Sequence, residues 1–282
     1  MSVEFSKVVA GKIRGNGGTF SVQSIDLAQL GEWSSPVEVL DQFRVRSRPF
    51  PPHPHAGFSA VTYVLEDSQG NLRSRDSLGN DVVIGPGGIV WTQAGSGVIH
   101  EEVPADLDRE LHAVQIFVNL SSKNKHTKPR MFRLAPSEVP EWRSKTGDRV
   151  RVVVGSFAGL VSPLVPVEPF DLLDVQLRRE ISFDLQDGHN AIVYVLEGRI
   201  TVEADGRTQD LTRDHAMTLH GAGPLKFQAS EPSHFLVLSG AEIREPVLAQ
   251  GPFIMNEPSQ VEAALARYHA GKMGQLSPLA DS

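Results

Sequence analysis

The heptapeptide Ala60-Val-Thr-Tyr-Val-Leu-Glu66 returns as Ala191-Ile-Val-Tyr-Val-Leu-Glu197, 131 residues downstream, with five identities and one Val/Ile exchange. No other feature restricts the fold as much, because a duplicated segment asks for the same local structure twice. Both copies are runs of β-branched and aromatic residues followed by turn formers, which is the chemistry of a strand. Elsewhere, short runs of Val and Ile alternating with polar residues are interrupted roughly every eight to twelve positions by Gly, Pro, Asn or Asp, as in Asp76–Asn80 and Ile84–Gly88. That rhythm belongs to a β-sandwich or barrel. Candidate strands run from Ser59–Leu65 through Leu111–Asn119 and Ala191–Leu196 to His234–Ser239.

Helical periodicity is confined to Ser259–Lys272, with Pro258 and Ser259 at its start, Val261, Leu265 and Tyr268 on one face, and Gly271 past its end. Packing against a sheet is its expected role. The polar, Pro- and charge-rich stretch from Ser121 to Gly147 reads as the connection between the halves, so the expected domains are residues 1–135 and 136–282. Carried along the 131-residue offset, His53 falls on Asp184 and His55 on Gln186. The second copy has therefore lost a histidine pair that the first retains.

The 282 residues contain no cysteine, which excludes a disulfide frame, a thiol nucleophile and an iron–sulfur cluster. Any metal must be held by histidines and carboxylates. A formal charge of -7 without a long basic tract argues against direct nucleic-acid binding. With no apolar run long enough for a membrane helix and no signal-like apolar core near the first residues, the expectation is a cytoplasmic protein without membrane contact, a monomer by default.

His53 and His55 lie two residues apart among Pro51, Pro52 and Pro54. In extended backbone, residues i and i+2 share a face about 6.6 Å apart, so both imidazoles can reach one ion. Proline disfavours the helical region for the residue before it and stiffens this segment. Taken alone, such a pair is as readily a surface or structural pair as a ligand pair. A second i, i+2 pair, His100 and Glu102, follows the turn Gly95-Ser96-Gly97. If both face one barrel interior, three neutral imidazoles and a carboxylate surround one divalent ion: Fe(II), Mn(II), Co(II), Ni(II) or Zn(II). The other histidines, including His112, His126, His189, His215, His220, His234 and His269, read as structural or surface residues.

The motifs HPHAGF, SRDSLGN, IGPGGIVWTQAGSGVIHEE and REPVLAQGPFIMN, in that order over nearly the whole chain, resemble the pirin family of the cupin superfamily. The resemblance implies an all-β bicupin: two tandem double-stranded β-helix barrels with a short C-terminal helix, metal in the N-terminal barrel, and a C-terminal segment that returns across the first domain. It places the ligands at His53, His55, His100 and Glu102, with Glu102 substituting for the glutamate that other cupins carry where Ser59 stands. Ala56 and Ser96 occupy positions where pirins usually have arginine; Thr92, Gln93 and Glu101 also depart from the pattern. Two positive charges at the pocket mouth are thereby lost and one negative charge gained.

The same resemblance implies one divalent ion, Fe(II) in the first place, and a flavonol dioxygenase of the quercetinase type. Glu102 is the candidate base for the substrate hydroxyl, and Phe58, Val90 and Phe117 are candidate pocket walls. The partner is then a small enolic or phenolic substrate. The alternative is a non-enzymatic iron-binding redox regulator that acts on a protein partner.

Overall fold

The computed structural model describes residues 2–15 and 18–279. Among these residues the chain is all-β with one α-helix, Pro258–His269, which we label α1. Two compact units emerge, with one boundary between Pro136 and Ser137 and the chain ends exchanged between them. One comprises Arg14–Val22, Val39–Pro136 and Ile243–Ser282; the other comprises Met1–Ile13, Gln23–Glu38 and Ser137–Glu242. Sheet edges account for the exchange of ends. Glu4–Phe5 and Val9–Ala10 pair with the strand His215–Ala229 inside the second unit, and a sheet edge covered in this way is closed to other chains.

In the first unit, the central strand Phe58–Val64 is buried along its whole length. It lies between Ile89–Gln93 and Leu111–Asn119, so its continuous apolar run is that of a strand covered on both faces. A smaller sheet orders His53–His55, Val98–Pro104, Leu72–Asp76 and Asp81–Ile84. The C-terminal segment lies on this same unit. Its hairpin Leu248–Gln250/Phe253–Met255 and α1 enclose a small core of Ala56, Phe253, Met255, Val261, Ala264 and Met273. On α1 it is Val261 and Ala264 that are buried, whereas Leu265 is 44% exposed, so the buried face is turned by about one position from the expected one.

Lys125 pins this arrangement. Its side chain is fully buried, and Nζ donates to the Gly57 carbonyl (3.1 Å), the Ile254 carbonyl (3.1 Å) and Asn119 Oδ1 (2.6 Å). A buried ammonium is tolerated only with such a full set of acceptors. Gly57, at φ 85°, must be glycine, because a Cβ there would stand 2.0 Å from the Ile254 oxygen.

The second unit repeats the ladder. Thr62 faces Gln115 in the first unit, as Val193 faces Val237 in the second. His53 faces His100 as Phe183 faces Leu225, and His55 faces Val98 as Leu185 faces Gly223. Glu102 faces Ser74 as Phe227 faces Val202. The correspondence of His53 and His55 with Asp184 and Gln186 is therefore corrected. Asp184 and Gln186 face outward to solvent, and Phe183 and Leu185 take the inward rungs in step with Ala191 and Val193, because the irregularity between Leu185 and His189 leaves the alternation unchanged. Strand side chains alternate, so the one-residue slip lies in the first unit at Ala56–Gly57, where the inward set passes from Phe58, Ala60 and Thr62 to His53 and His55.

Candidate metal centre

Pro51–Pro54 deliver a short extended strand, His53–His55, whose proline sits where a three-residue edge strand tolerates it. Its pairing with Val98–His100 sets His53 directly opposite His100. Cross-strand neighbours on one face are about 4.5–5.5 Å apart at Cβ, so this register converts two separate sequence pairs into one cluster. One ligand nitrogen from each of His53, His55 and His100 lies within 4.8 Å of the others. His100 Nε2 stands 3.2 Å from His53 Nε2.

The outer nitrogens are held by carbonyls. His53 Nδ1 donates to the Pro51 oxygen (2.8 Å) and His55 Nδ1 to the Pro252 oxygen (3.3 Å). A carbonyl only accepts, so each Nδ1 carries the proton and each Nε2 keeps its lone pair. Burial, reinforced by the neighbouring His53, lowers His55 to about 3 against the opposing effect of the Pro252 carbonyl. Burial, with His55 and His53 beside it, also holds His100 well below the ordinary histidine value. Three imidazoles converging nitrogen to nitrogen, with His100 Nδ1 buried and unpartnered, form a donor set that fits a borderline divalent transition metal.

Glu102 stands beside this trio. The three histidines form the metal-competent cluster among the described residues, while the carboxylate is engaged by hydroxyls. Thr62 Oγ1 lies 2.5 Å from Oε2, and Ser74 Oγ lies 3.2 Å from Oε1. Desolvation raises the Glu102 carboxyl to about 7, outweighing the two hydroxyls that pull it down.

A cavity of about 460 Å³ opens over the cluster, lined by His53, His55, His100 and Glu102 and by Phe20, Phe43, Phe50 and Phe117. Its size suits a drug-sized aromatic ligand, and its lining is largely apolar with a few polar groups. Of the expected walls, Phe117 lines it. Phe58 lies behind His55, their rings 4.9 Å apart, and Val90 belongs to the core with Val45, Leu72 and Leu111.

The departures from the pirin pattern do not line this cavity. Ala56 is buried beneath the C-terminal segment. The Ser96 carbonyl accepts from the Arg267 guanidinium at 2.9 and 3.1 Å. Glu101 is buried against Arg75 at 2.8 Å, so the expected charge change at the mouth is absorbed elsewhere. His112 is engaged by Asp67, and His234 by Asp174.

Sequence reading missed Asp41, Thr62, Ser74 and Gln115. Asp41 had a readable signal: Pro36-Val-Glu-x-x-Asp41 recurs as Pro166-Val-Glu-x-x-Asp171, and these aspartates line the first and second cavities respectively. The hydroxyl and amide residues had none, since Thr, Ser and Gln are ordinary occupants of strands.

Comparison with known proteins agrees with this architecture. The pirin family model matches residues 14–118, and the model of the pirin C-terminal cupin domain matches residues 172–274. A Pseudomonas aeruginosa protein provisionally named quercetin 2,3-dioxygenase is 35% identical over 248 residues, covering 84% of this chain and 86% of the relative. Pirin from Homo sapiens is 30% identical over 280 residues, covering 97% and 92%. The crystal structure of a quercetin 2,3-dioxygenase from Acinetobacter baumannii superposes with a TM-score of 0.83 at 26% identity, covering 98% of this chain and 99% of the other.

Proposed function

We propose that this chain, which belongs to the pirin family, is a metal-dependent dioxygenase of the quercetinase type that cleaves a flavonol or a similar enolic substrate with O2. The observation that carries the reading is the juxtaposition of three converging histidines with a carboxyl group raised to about 7 in the lining of one largely apolar cavity. His53, His55 and His100 would hold one divalent ion, Fe(II) in the first place, with Glu102 as the fourth candidate ligand. When bound, such an ion supplies Lewis acidity toward the enol oxygen and open positions for O2.

The chain's own residues supply the rest. Phe43, Phe50 and Phe117 present ring faces and edges that orient a planar substrate and exclude water from the polar groups of the cavity. A general base works best when its pKa lies near the operating pH. Glu102, at about 7, suits both removal of the enol proton at a carboxylate oxygen and its later return. The Pro51 and Pro252 carbonyls keep His53 and His55 in a single tautomer, so their inner nitrogens stay available.

The experiment is oxygen uptake by Fe(II)- or Mn(II)-loaded protein with quercetin and other flavonols. Uptake that the Glu102→Gln variant loses supports the reading. Full metal loading without uptake on any flavonol replaces it with an iron-binding redox regulator acting on a protein partner. The alignment with human pirin across 97% of this chain favours that second reading. Either way, we take the setting to be cytoplasmic and the working form to be a monomer.

A further inference from the structure

Thr62 and Ser74 are fully buried hydroxyl residues on strands of opposite sheets, Phe58–Val64 and Leu72–Asp76. Burying a hydroxyl is unfavourable unless it is hydrogen-bonded, and here both face one carboxylate, Glu102, from two sides. Behind Thr62 lies Gln115: its Oε1 is 3.2 Å from Thr62 Oγ1, and its Nε2 donates to the Val61 carbonyl at 2.9 Å. The second barrel provides an internal control. Its counterparts of Thr62, Ser74 and Gln115 are Val193, Val202 and Val237, and its counterpart of Glu102 is Phe227. The ladder therefore accepts apolar residues at all three places once the carboxylate is gone.

We infer that Thr62 and Ser74 are positioning residues that hold the Glu102 carboxylate beside the histidine cluster, so that it faces the substrate proton instead of being drawn fully onto the metal. This rests on the metal centre proposed above. It assigns the choice between ligand and base at Glu102 to two neighbouring hydroxyls rather than to Glu102 itself. Gln115 Oε1 can only accept, so it competes for the one Thr62 hydroxyl proton, and the contact to Glu102 is the shorter of the two.

The test uses Co(II) alone, without substrate or oxygen, in the full-length protein. Thr62→Val, isosteric and already present at the equivalent rung as Val193, is combined with Ser74→Ala. Hydrogen bonds to a charged group are the stronger kind, so releasing the carboxylate should tighten Co(II) binding on the order of tenfold. The visible absorption of Co(II) should change as an oxygen ligand joins. Thr62→Ser, which keeps the hydroxyl, should behave as the parent protein. In a Glu102→Gln background the gain should vanish, as a double-mutant cycle requires of a coupled pair.

A folded double variant with unchanged or weaker Co(II) binding overturns the inference, as does a gain that persists without the Glu102 carboxylate. If the double variant fails to fold, each single substitution must show part of the tightening, and its absence in both is equally fatal. A protein that binds Co(II) as described yet consumes no oxygen with flavonols would refute the dioxygenase reading and leave this inference standing.

Discussion

On matching inward rungs, the first barrel carries His53, His100, Glu102 and Thr62 where the second carries Phe183, Leu225, Phe227 and Val193. All four of the second set belong to one continuous hydrophobic core. On those rungs the first barrel lines its cavity with His53, His100 and Glu102 instead. The second also has a cavity, of about 700 Å³, but no histidine lines it. The difference teaches that the shared ladder is indifferent to the chemistry on its rungs. Both barrels keep a cavity, and what separates them is the imidazole lining of the first.

The most severe way to break this comparison is metal counting. Elemental analysis should find one tightly held divalent ion per chain, and His53→Ala combined with His100→Ala should reduce this to none. Two ions per chain, or retention by the double variant, would mean that the barrels do not differ as described.

Next in size is a pair of substitutions at one rung. Phe227→Ala in the second barrel removes a fully buried ring packed against Phe183 and Phe235 and should cost about 3–5 kcal/mol of stability in denaturant titration, with metal binding by the folded protein unchanged. Glu102→Gln at the equivalent rung should do the reverse. It should retain metal and fold but lose roughly 10²-fold in turnover, the scale of a missing general base. Substrate supplied already deprotonated at higher pH should recover part of that loss.

Acid sensitivity sharpens the contrast further. His55, at about 3, and His100, well below its ordinary value, are neutral in the folded state and titrate near 6.5 when unfolded. Their contribution to metal-free stability is therefore full above about 6.5 and is lost as pH falls toward about 3. Glu102 acts in the opposite sense. Its carboxyl, raised to about 7 from an ordinary 4.5, contributes fully below 4.5, and that contribution fades as pH rises through 7. Between 4.5 and 6.5, two histidines oppose one carboxyl, so metal-free protein should lose stability on acidification in pH-dependent thermal melts. Variants carrying His55→Leu and His100→Leu should not.

The smallest effect is a gain. His100→Leu, which places at the rung what Leu225 places in the second barrel, should stabilise metal-free protein by about 1 kcal/mol, since a buried unpartnered nitrogen is replaced by apolar contact. A loss in chemical denaturation would show that the first barrel had adapted its packing around imidazole.

The strand repeat and the two i, i+2 pairs were legible because both depend on local alternation, the one geometric rule that a strand writes directly into its sequence. The correspondence at Asp184 and Gln186 failed because the first barrel breaks step by one position at Ala56–Gly57 and the second does not, and one slipped position exchanges inside for outside. The exchange of chain ends between units was likewise not readable from local pattern. Pairings such as Ala56 with Phe253 join residues nearly two hundred positions apart, and nothing near either one specifies the other. Leu265 misled for a different reason: helical spacing gives the width of an apolar stripe more securely than its centre.

The clamp at Lys125 sets an order of events during synthesis. Its acceptor at Ile254 and the Pro252 carbonyl that steadies His55 reside in a segment made 197 residues after His55 itself. Domains generally begin to fold as they emerge, N-terminal parts first, yet the first barrel cannot finish its histidine cluster until the last hairpin arrives. The barrel translated first is thus completed last. Metal capture in its final geometry therefore waits on the hairpin Leu248–Gln250/Phe253–Met255, and a chain stopped before it, with all three histidines already made, lacks the carbonyl that would hold one of them ready.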